Sequence, residues 1–455
     1  MASVLDKYIA NIEETDPVHY LGHVTAVRGM LVESFGPRAK IGEMCSIAIR
    51  TDNPEKTARN AEVVGLDGKT VKLMVFGETT GIEIGAEVSA SGYVLQVGVG
   101  DMLLGRVINA LGKAADSKPE IVPQTYYPAL ASPPPPLDRT PVSERIVTGV
   151  RAIDALLAMA KGQRIGIFAG SGVGKSTLLS MIARNTNADV NVLALVGERG
   201  REVLDFIERD LGEEGMKRSV VVVATSDMSS IERLRAAYVA TSVAEYFRDC
   251  GKDVTLMFDN VSRFAHAQRE IGLAAGEPPA QRGYPPSVFD LIPKLLERSG
   301  TSRKGSITGF YAVLADGDDM DDPIVDKVRG TLDGHIVLSR ALAQQNHFPA
   351  IDINMSISRL AKRVSGKATQ EAVGKIRRLM AAYSENEDMI TVGAYQKGAN
   401  AAVDKAIDLH EKIETFLVQE EYEASPIDVT LKRLGELGGV EIPESEYLLD
   451  PDSIE

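Results

Sequence analysis

Three kinds of apolar spacing follow one another along the chain. From Gly22 to about Val97 short runs alternate apolar with polar residues, at 23–27, 69–76 and 87–94, and turn residues break them, with Gly65-Leu66-Asp67-Gly68 placed as a hairpin turn. A small β-barrel packs such strands economically. From about Val150 to His347 the runs at 164–168, 191–196, 219–224, 254–258 and 307–314 are almost wholly apolar and are separated by stretches of helical spacing. That alternation predicts a parallel sheet covered by helices. Beyond Arg359 apolar residues recur every three or four positions over 368–386 and 401–421, with Ile376, Leu379, Met380 and Tyr383 on one face, which predicts a helical domain. At the N-terminus Val4, Leu5, Tyr8, Ile9 and Ile12 share one face of a possible helix, suited either to a partner or to the chain's own domain.

Composition narrows the classes. The 455 residues carry a net charge of −14, which argues against a nucleic-acid binder, because affinity for a polyanion rests on clustered Lys and Arg. The barrel segment is also poor in the exposed aromatic and basic residues that oligonucleotide binding needs. Two cysteines, Cys45 and Cys250, have neither Cys-x-x-Cys spacing nor a nearby His cluster, which points to a reducing compartment and no structural zinc. With no signal-peptide pattern and no run of about 18 apolar residues, the expectation is a cytoplasmic protein that reaches a membrane only through partners. Pro119, Pro123, Pro128, Pro133 to Pro136 and Pro141 read as a stiff connector.

The chemistry concentrates at Ala169-Gly170-Ser171-Gly172-Val173-Gly174-Lys175-Ser176-Thr177, between an apolar strand and the helical Leu178 to Ala183. Glycines there let backbone N–H groups turn toward phosphate oxygens, and the helix N-terminus favours negative charge. Lys175 would reach the β- and γ-phosphates and the Ser176 hydroxyl would ligate Mg²⁺. Ala169 stands where the strict pattern has glycine, which is tolerable at negative φ. The competing reading is a glycine turn without a ligand.

Ligands in such folds bind beyond the carboxyl ends of the strands. Glu198, in Gly197-Glu198-Arg199-Gly200-Arg201-Glu202, is placed either to polarise an attacking water or to form a surface salt bridge with Arg199 or Arg201. Asp259 ends the fourth strand and is placed to hold Mg²⁺ through water or to cap a helix. Residues 316–322 gather five acids that suit a solvated or partner-facing loop better than a second metal site.

Together these motifs exceed a generic phosphate-binding fold. The segments 162–176 and 197–203, Asp259-Asn260-Val261-Ser262-Arg263-Phe264, and Pro349-Ala350-Ile351-Asp352 with Ser356, Ser358 and Arg359 resemble the rotary ATPase α/β-subunit superfamily. Within it, 267–272, 276–279, 283–289 and 332–340 are similar to the type III secretion ATPases, most of all the flagellum-specific ones, over roughly residues 20–420.

The resemblance implies a P-loop (RecA-like) parallel-sheet ATPase domain with an N-terminal β-barrel and a C-terminal helical domain. The divisions are 1–18 (N-terminal segment), 19–97 (barrel), 98–149 (connector and approach to the ATPase domain), 150–358 (P-loop domain) and 359–455 (helical domain). It implies that Gly170, Ser171, Gly172, Val173, Gly174, Lys175, Ser176 and Thr177 bind the phosphates of ATP, with Mg²⁺ on Ser176 and Asp259. Glu198 would activate water with Arg199 beside it. Phe348, where the family usually has Tyr, would stack on adenine, and Arg359 would be an arginine finger reaching the neighbouring subunit's site.

The implied assembly is a homohexamer at the cytoplasmic mouth of an export apparatus. A coiled-coil stalk would enter its pore, a dimeric regulator would bind residues 1–18, and an export gate, substrates and chaperones would complete the partners, with no nucleic acid among them. The acidic loop 316–322 would face the stalk. An injectisome ATPase, a non-catalytic ring subunit and a hexameric RNA translocase are the alternative readings.

Overall fold

The structure is a computed structural model that describes residues 20–50, 57–315, 319 and 321–447. The predicted helix at 4–14 lies outside the described residues, as do Asp316, Gly317, Asp318 and Met320 of the acidic stretch.

Six antiparallel strands, β1 (Leu21–Arg28), β2 (Leu31–Phe35), β3 (Glu43–Ala48), β4 (Ala58–Asp67), β5 (Thr70–Val75) and β6 (Glu87–Val94), close a barrel in the order β1-β2-β5-β4-β3-β6. Val24, Val32, Ile47, Val63, Leu73 and Val88 fill it and are fully buried, so the alternating pattern marks the inner face. The hairpin turn falls later than Gly65–Gly68. Asp67 pairs with Thr70, leaving Gly68 (φ 59°) and Lys69 as a two-residue loop, and Gly65 sits in β4 beside a bulge. The turn needs a positive φ, which Gly68 supplies, while the alternation of β4 runs on through Gly65. Residues 229–232 and 270–278 belong to the same compact unit, where Lys72 Nζ donates to the Ala275 carbonyl at 2.8 Å.

The second unit contains a sheet of β7 (Arg106–Ile108), β8 (Arg164–Ala169), β9 (Val190–Val196), β10 (Ser219–Ala224), β11 (Asp253–Asp259), β12 (Ser306–Leu314), β13 (Gly334–Leu338) and β14 (Ile351–Ser358). Its order is β14-β13-β8-β12-β11-β9-β10-β7. The strands from β13 to β7 are parallel and β14 runs antiparallel at the edge. Every residue of β9 and β10 is buried, as a sheet with both faces covered requires.

Three of these eight strands are not apparent in the sequence pattern. β7 comes from the connector, where Asp116 accepts from Arg106 Nε at 2.9 Å and Nη2 at 2.8 Å and from the Val107 N–H at 3.0 Å, fixing it to the sheet edge. β13 is only five residues long. β14 carries a wide irregularity: five steps, from Asp352 to Ile357, face two on β13. The inserted residues shift the phase of the strand, which erases its alternation.

Helices α1 (Arg151–Leu156), α2 (Lys175–Asn185), α3 (Ser230–Asp249), α4 (Val261–Ala275), α5 (Pro286–Leu296) and α6 (Pro323–Thr331) alternate with the sheet strands along the chain, with 230–232 of α3 and 270–275 of α4 in the barrel's unit, and α7 (Lys367–Thr391), α8 (Ala401–Leu417) and α9 (Ile427–Gly438) follow. Ile376 of α7, Ile413 and Phe416 of α8, and Leu431 and Leu434 of α9 join one apolar cluster with Ile153, Leu156, Ile165 and Ile167, so the C-terminal helices share the core beneath the P-loop strand. The predicted helix over 401–421 stops at Leu417. Val418 is extended, and the buried Gln419 replaces the helical bonds: its Oε1 accepts from Arg151 N–H at 2.7 Å, and its Nε2 donates to the carbonyls of Gly149 and Glu423, both at 2.8 Å.

Candidate active site

β8 delivers the chain to the sheet's carboxyl edge, and Ala169 is its last residue, in extended backbone that any residue adopts. Gly172 (φ 77°) and Gly174 (φ 90°) then turn the loop through left-handed conformations that favour glycine. α2 begins at Lys175, so its free N–H groups face the loop's hollow. Val173 is buried beneath the loop, whereas Ser171 and Ser176 are exposed.

Three strand ends meet at Lys175. Its Nζ contacts the Asp259 carboxylate directly and lies 3.5 Å from Glu198 Oε1. Burial pulls the Lys175 ammonium down, but Asp259 and then Glu198 outweigh it and hold it above its ordinary value. Burial pushes the Asp259 carboxyl up, with Lys175 pulling back and Glu198 adding to the rise. The ammonium therefore keeps its proton at neutral pH and offsets two carboxylates poised where phosphate charge would arrive.

Glu198 follows Gly197 (φ 73°) two residues past β9. Its Oε1 accepts from Asn260 Nδ2 at 2.8 Å, and Asn260 Oδ1 accepts from the Arg263 N–H at 2.9 Å, so one amide both orients the carboxylate and caps α4. Asn260, fully buried beside Asp259, takes the helix-capping role weighed for that acid. Glu198 forms no ion pair with Arg199 or Arg201. Arg199 turns outward to Glu202 at 2.9 Å, and Arg201 stands 3.6 Å from Asp205.

Two adjoining cavities meet at this edge. The larger, about 850 Å³, is bordered by the P-loop, Lys175, Ser176, Glu198, Arg199 and Arg263. The smaller, about 350 Å³, is lined by Leu178, Met181, Asn346, Phe348 and Pro349 and by Val418 to Glu421. Gly174, Thr177 and Phe348 border both. A Cβ on Gly174 would stand 3.5 Å from the Phe348 ring, so the ring lies directly over the loop. The phosphate hollow and a smaller slot of mixed lining, apolar at Leu178, Met181, Phe348, Pro349 and Val418 and polar at Gln419 to Glu421, thus share the Phe348 ring.

Arg359 is not part of this assembly of residues. Ser358 pairs with Gly334 at the start of β13, whereas Ile351 pairs with Leu338, which pairs with Ala169 beside the P-loop. Arg359 is therefore roughly 15 Å down the sheet from its own chain's loop. It is exposed there, and its charge is felt by His335, whose ring burial holds below the ordinary histidine value.

Sequence reasoning missed Asn260, Arg263 and the wall at 418–421. The first two lie in the segment that carried the resemblance but had no role of their own, and 418–421 gave no signal because its pattern reads as a helix end. Ser176, which borders the phosphate hollow, and Asp259, buried against Lys175 just behind it, offer hard oxygen donors of the kind Mg²⁺ takes.

Known proteins match the chain in all three of its regions. Residues 149–358 match the model of the ATP synthase alpha/beta family nucleotide-binding domain, 24–92 that of the same family's beta-barrel domain, and 365–436 that of the T3SS EscN ATPase C-terminal domain. The flagellum-specific ATP synthase of Treponema pallidum is 56% identical over 443 residues, 97% of this chain and 98% of that protein. The assembled ATPase EscN of the enteropathogenic E. coli type III secretion system is 44% identical, with a TM-score of 0.87 over 92% of this chain and 100% of that one. EscN in complex with its central stalk EscO gives 43% and 0.84, over 92% of this chain and 100% of that one.

Proposed function

The chain belongs to the flagellum-specific ATPases of the type III secretion family, within the ATP synthase α/β family, and hydrolyses ATP for flagellar export; from that premise we propose that it works as a homohexameric ring with active sites shared between neighbours. The observation that carries the proposal is the separation within one chain. Lys175, Glu198 and Asp259 converge, while Arg359 is exposed at the opposite edge of the sheet.

In this reading the P-loop amides and Lys175 bind the β- and γ-phosphates, and Phe348 stacks on the adenine. Ser176 and Asp259 would hold Mg²⁺, which when bound neutralises charge on the phosphates. Glu198, oriented by Asn260, accepts the proton of the attacking water as it closes on the γ-phosphorus. Arg359 of the neighbour stabilises the charge that develops on the transferred oxygens, a contribution typically of about 10³–10⁵ in rate for a finger supplied in trans. Arg199 is a mouth residue that would have to leave Glu202 to reach a phosphate.

A coiled-coil stalk in the pore is supported by the EscN–EscO complex. Of the acidic stretch proposed to face it, Asp319 and Asp322 are held by Arg282 at 2.9 and 3.5 Å, and Asp322 also caps α6. Residues 1–18 would take a dimeric regulator, and an export gate with its substrates and chaperones would complete the partners at the cytoplasmic face. Among the described residues no helix is long and apolar enough to cross a membrane, so attachment would run through those partners.

Steady-state ATPase measured against protein concentration tests the proposal. Specific activity should rise steeply as subunits assemble and be lost in Glu198→Gln. Specific activity independent of concentration, in protein shown by sedimentation to be monomeric, would refute a shared site.

A further inference from the structure

The ring that the two cavities share is held from behind. His347, next to Phe348 in the chain, is buried, and its Nδ1 lies 2.8 Å from Glu414 Oε2. Glu414 stands in the last turn of α8, where its carbonyl accepts the Val418 N–H at 3.0 Å. The strap 418–421, which lines the smaller cavity together with Phe348, therefore follows within one turn the residue that grips His347. A second tie closes the loop, because the Gln419 N–H donates to the Phe348 carbonyl at 2.9 Å.

The other groups around the pair come from three elements. The Leu342 carbonyl accepts the His347 N–H at 3.0 Å, His410 lies one turn before Glu414 on α8, and Tyr383 of α7 stacks on His410 with centroids 3.6 Å apart. Burial pushes the Glu414 carboxyl up, but His347 and then His410 outweigh it and hold it below the usual glutamate value. A histidine and a carboxylate are thus mutually committed on the far side of the ring, and neither borders the cavity.

We propose that His347 and Glu414 form a positioning pair that fixes the spacing between the Phe348 ring and the 418–421 strap, and so sets affinity for the base half of the nucleotide while leaving the phosphate half to the P-loop. The proposal rests on the reading of Phe348 as the base-stacking residue. The His347–Glu414 contact and the backbone bond from Gln419 to Phe348 both join the Phe348 segment to the strap, so releasing either lets the slot widen. The phosphate hollow is built by the P-loop and strand ends that neither residue touches.

The test divides the nucleotide. In the full-length protein with Mg²⁺, affinity for a ribose-labelled fluorescent ADP is measured directly and affinity for inorganic tripolyphosphate by competition, for His347→Gln, Glu414→Gln, the double variant and Phe348→Ala. Each single variant should weaken ADP by about tenfold or more, the scale of one lost hydrogen bond to a charged group. The double variant should be no worse than either single, and tripolyphosphate should stay within about twofold of the parent. Equal losses for ADP and tripolyphosphate would make the pair a mere fold element and overturn the proposal. So would unchanged ADP affinity in His347→Gln while Phe348→Ala loses it. If Phe348→Ala itself binds ADP normally, the stacking premise falls and the proposal with it.

Discussion

Asn260→Ala separates orientation of the catalytic carboxylate from everything else at the site. The substitution removes the 2.8 Å bond from Nδ2 to Glu198 Oε1 and the 2.9 Å bond that Oδ1 accepts from the Arg263 N–H. The second is a helix cap, and losing such a cap costs about 1 kcal/mol of stability. The first is a buried bond to a carboxylate, of a class worth about 1.5–3 kcal/mol. If most of that goes into holding Glu198 toward the water, kcat falls by roughly 10- to 100-fold. Asn260→Ser is the control, because serine still caps α4 but its shorter side chain does not extend to Glu198. The structure therefore predicts that Ser restores stability to within about 0.5 kcal/mol of the parent but leaves kcat as low as Ala does. KM for ATP should hardly move in either, since Asn260 does not border the phosphate cavity. Chemical denaturation gives the stability and steady-state hydrolysis at saturating MgATP gives kcat. A parental kcat in Asn260→Ser would show that Glu198 needs no partner to orient it, and the reasoning would be wrong.

Three further predictions concern charge and packing. In Lys175→Met the Asp259 carboxyl loses its compensating cation, so its already raised pKa rises further. A raised folded pKa gives stability at low pH that is lost as pH climbs through it, so the variant's loss of melting temperature relative to the parent should grow as pH rises above the ordinary carboxylate range, whereas a constant difference would contradict the pairing. Gln419→Ala strands the buried Arg151 N–H and Gly149 carbonyl and removes a part-buried bond to the Glu423 carbonyl, a loss of roughly 3 kcal/mol in urea unfolding, and a change under about 1 kcal/mol would argue against the strap's anchorage. Asp116 is lowered to about 2, first by its hydrogen bond to Arg106, so its contribution is present above the ordinary carboxylate range and lost as pH falls through about 2. Asp116→Asn should flatten the acid limb of stability between about pH 4 and 2, and an unaltered limb would remove the ion pair from the account.

How much of this was legible in the sequence depends on whether a residue's role is local. β8, the glycine loop and α2 are one continuous stretch whose composition dictates strand, turn and helix in succession, and Lys175 and Ser176 follow from it. Glu198 and Asp259 were legible because parallel strands all end at the same edge, so a carboxylate at a strand's end has only one place to be. The edge strands were not, because β7 has only three residues in a proline-rich connector, too few to show a pattern, and β14 breaks its own alternation. The strap at 418–421 was hidden for a different reason: its geometry is fixed by Gly149 and Arg151, about 270 residues earlier, and nothing local to Gln419 records that. Phe348 and Arg359 came only through resemblance. An aromatic beside a proline and an exposed arginine at the end of an edge strand have no pattern of their own, and their meaning depends on a ring lying over the loop and on a second subunit.

The most direct measurement of the central claim is complementation between two dead proteins. Lys175→Ala and Arg359→Ala subunits are purified, mixed in equal amounts under conditions where mixed rings are shown to form, and assayed for ATP hydrolysis. If each site joins one subunit's P-loop to its neighbour's Arg359, some interfaces in mixed rings hold both intact groups, and hydrolysis should return to about a quarter of the parental rate for random mixing of independent interfaces. Mixed rings with no more activity than either parent variant would contradict the shared site.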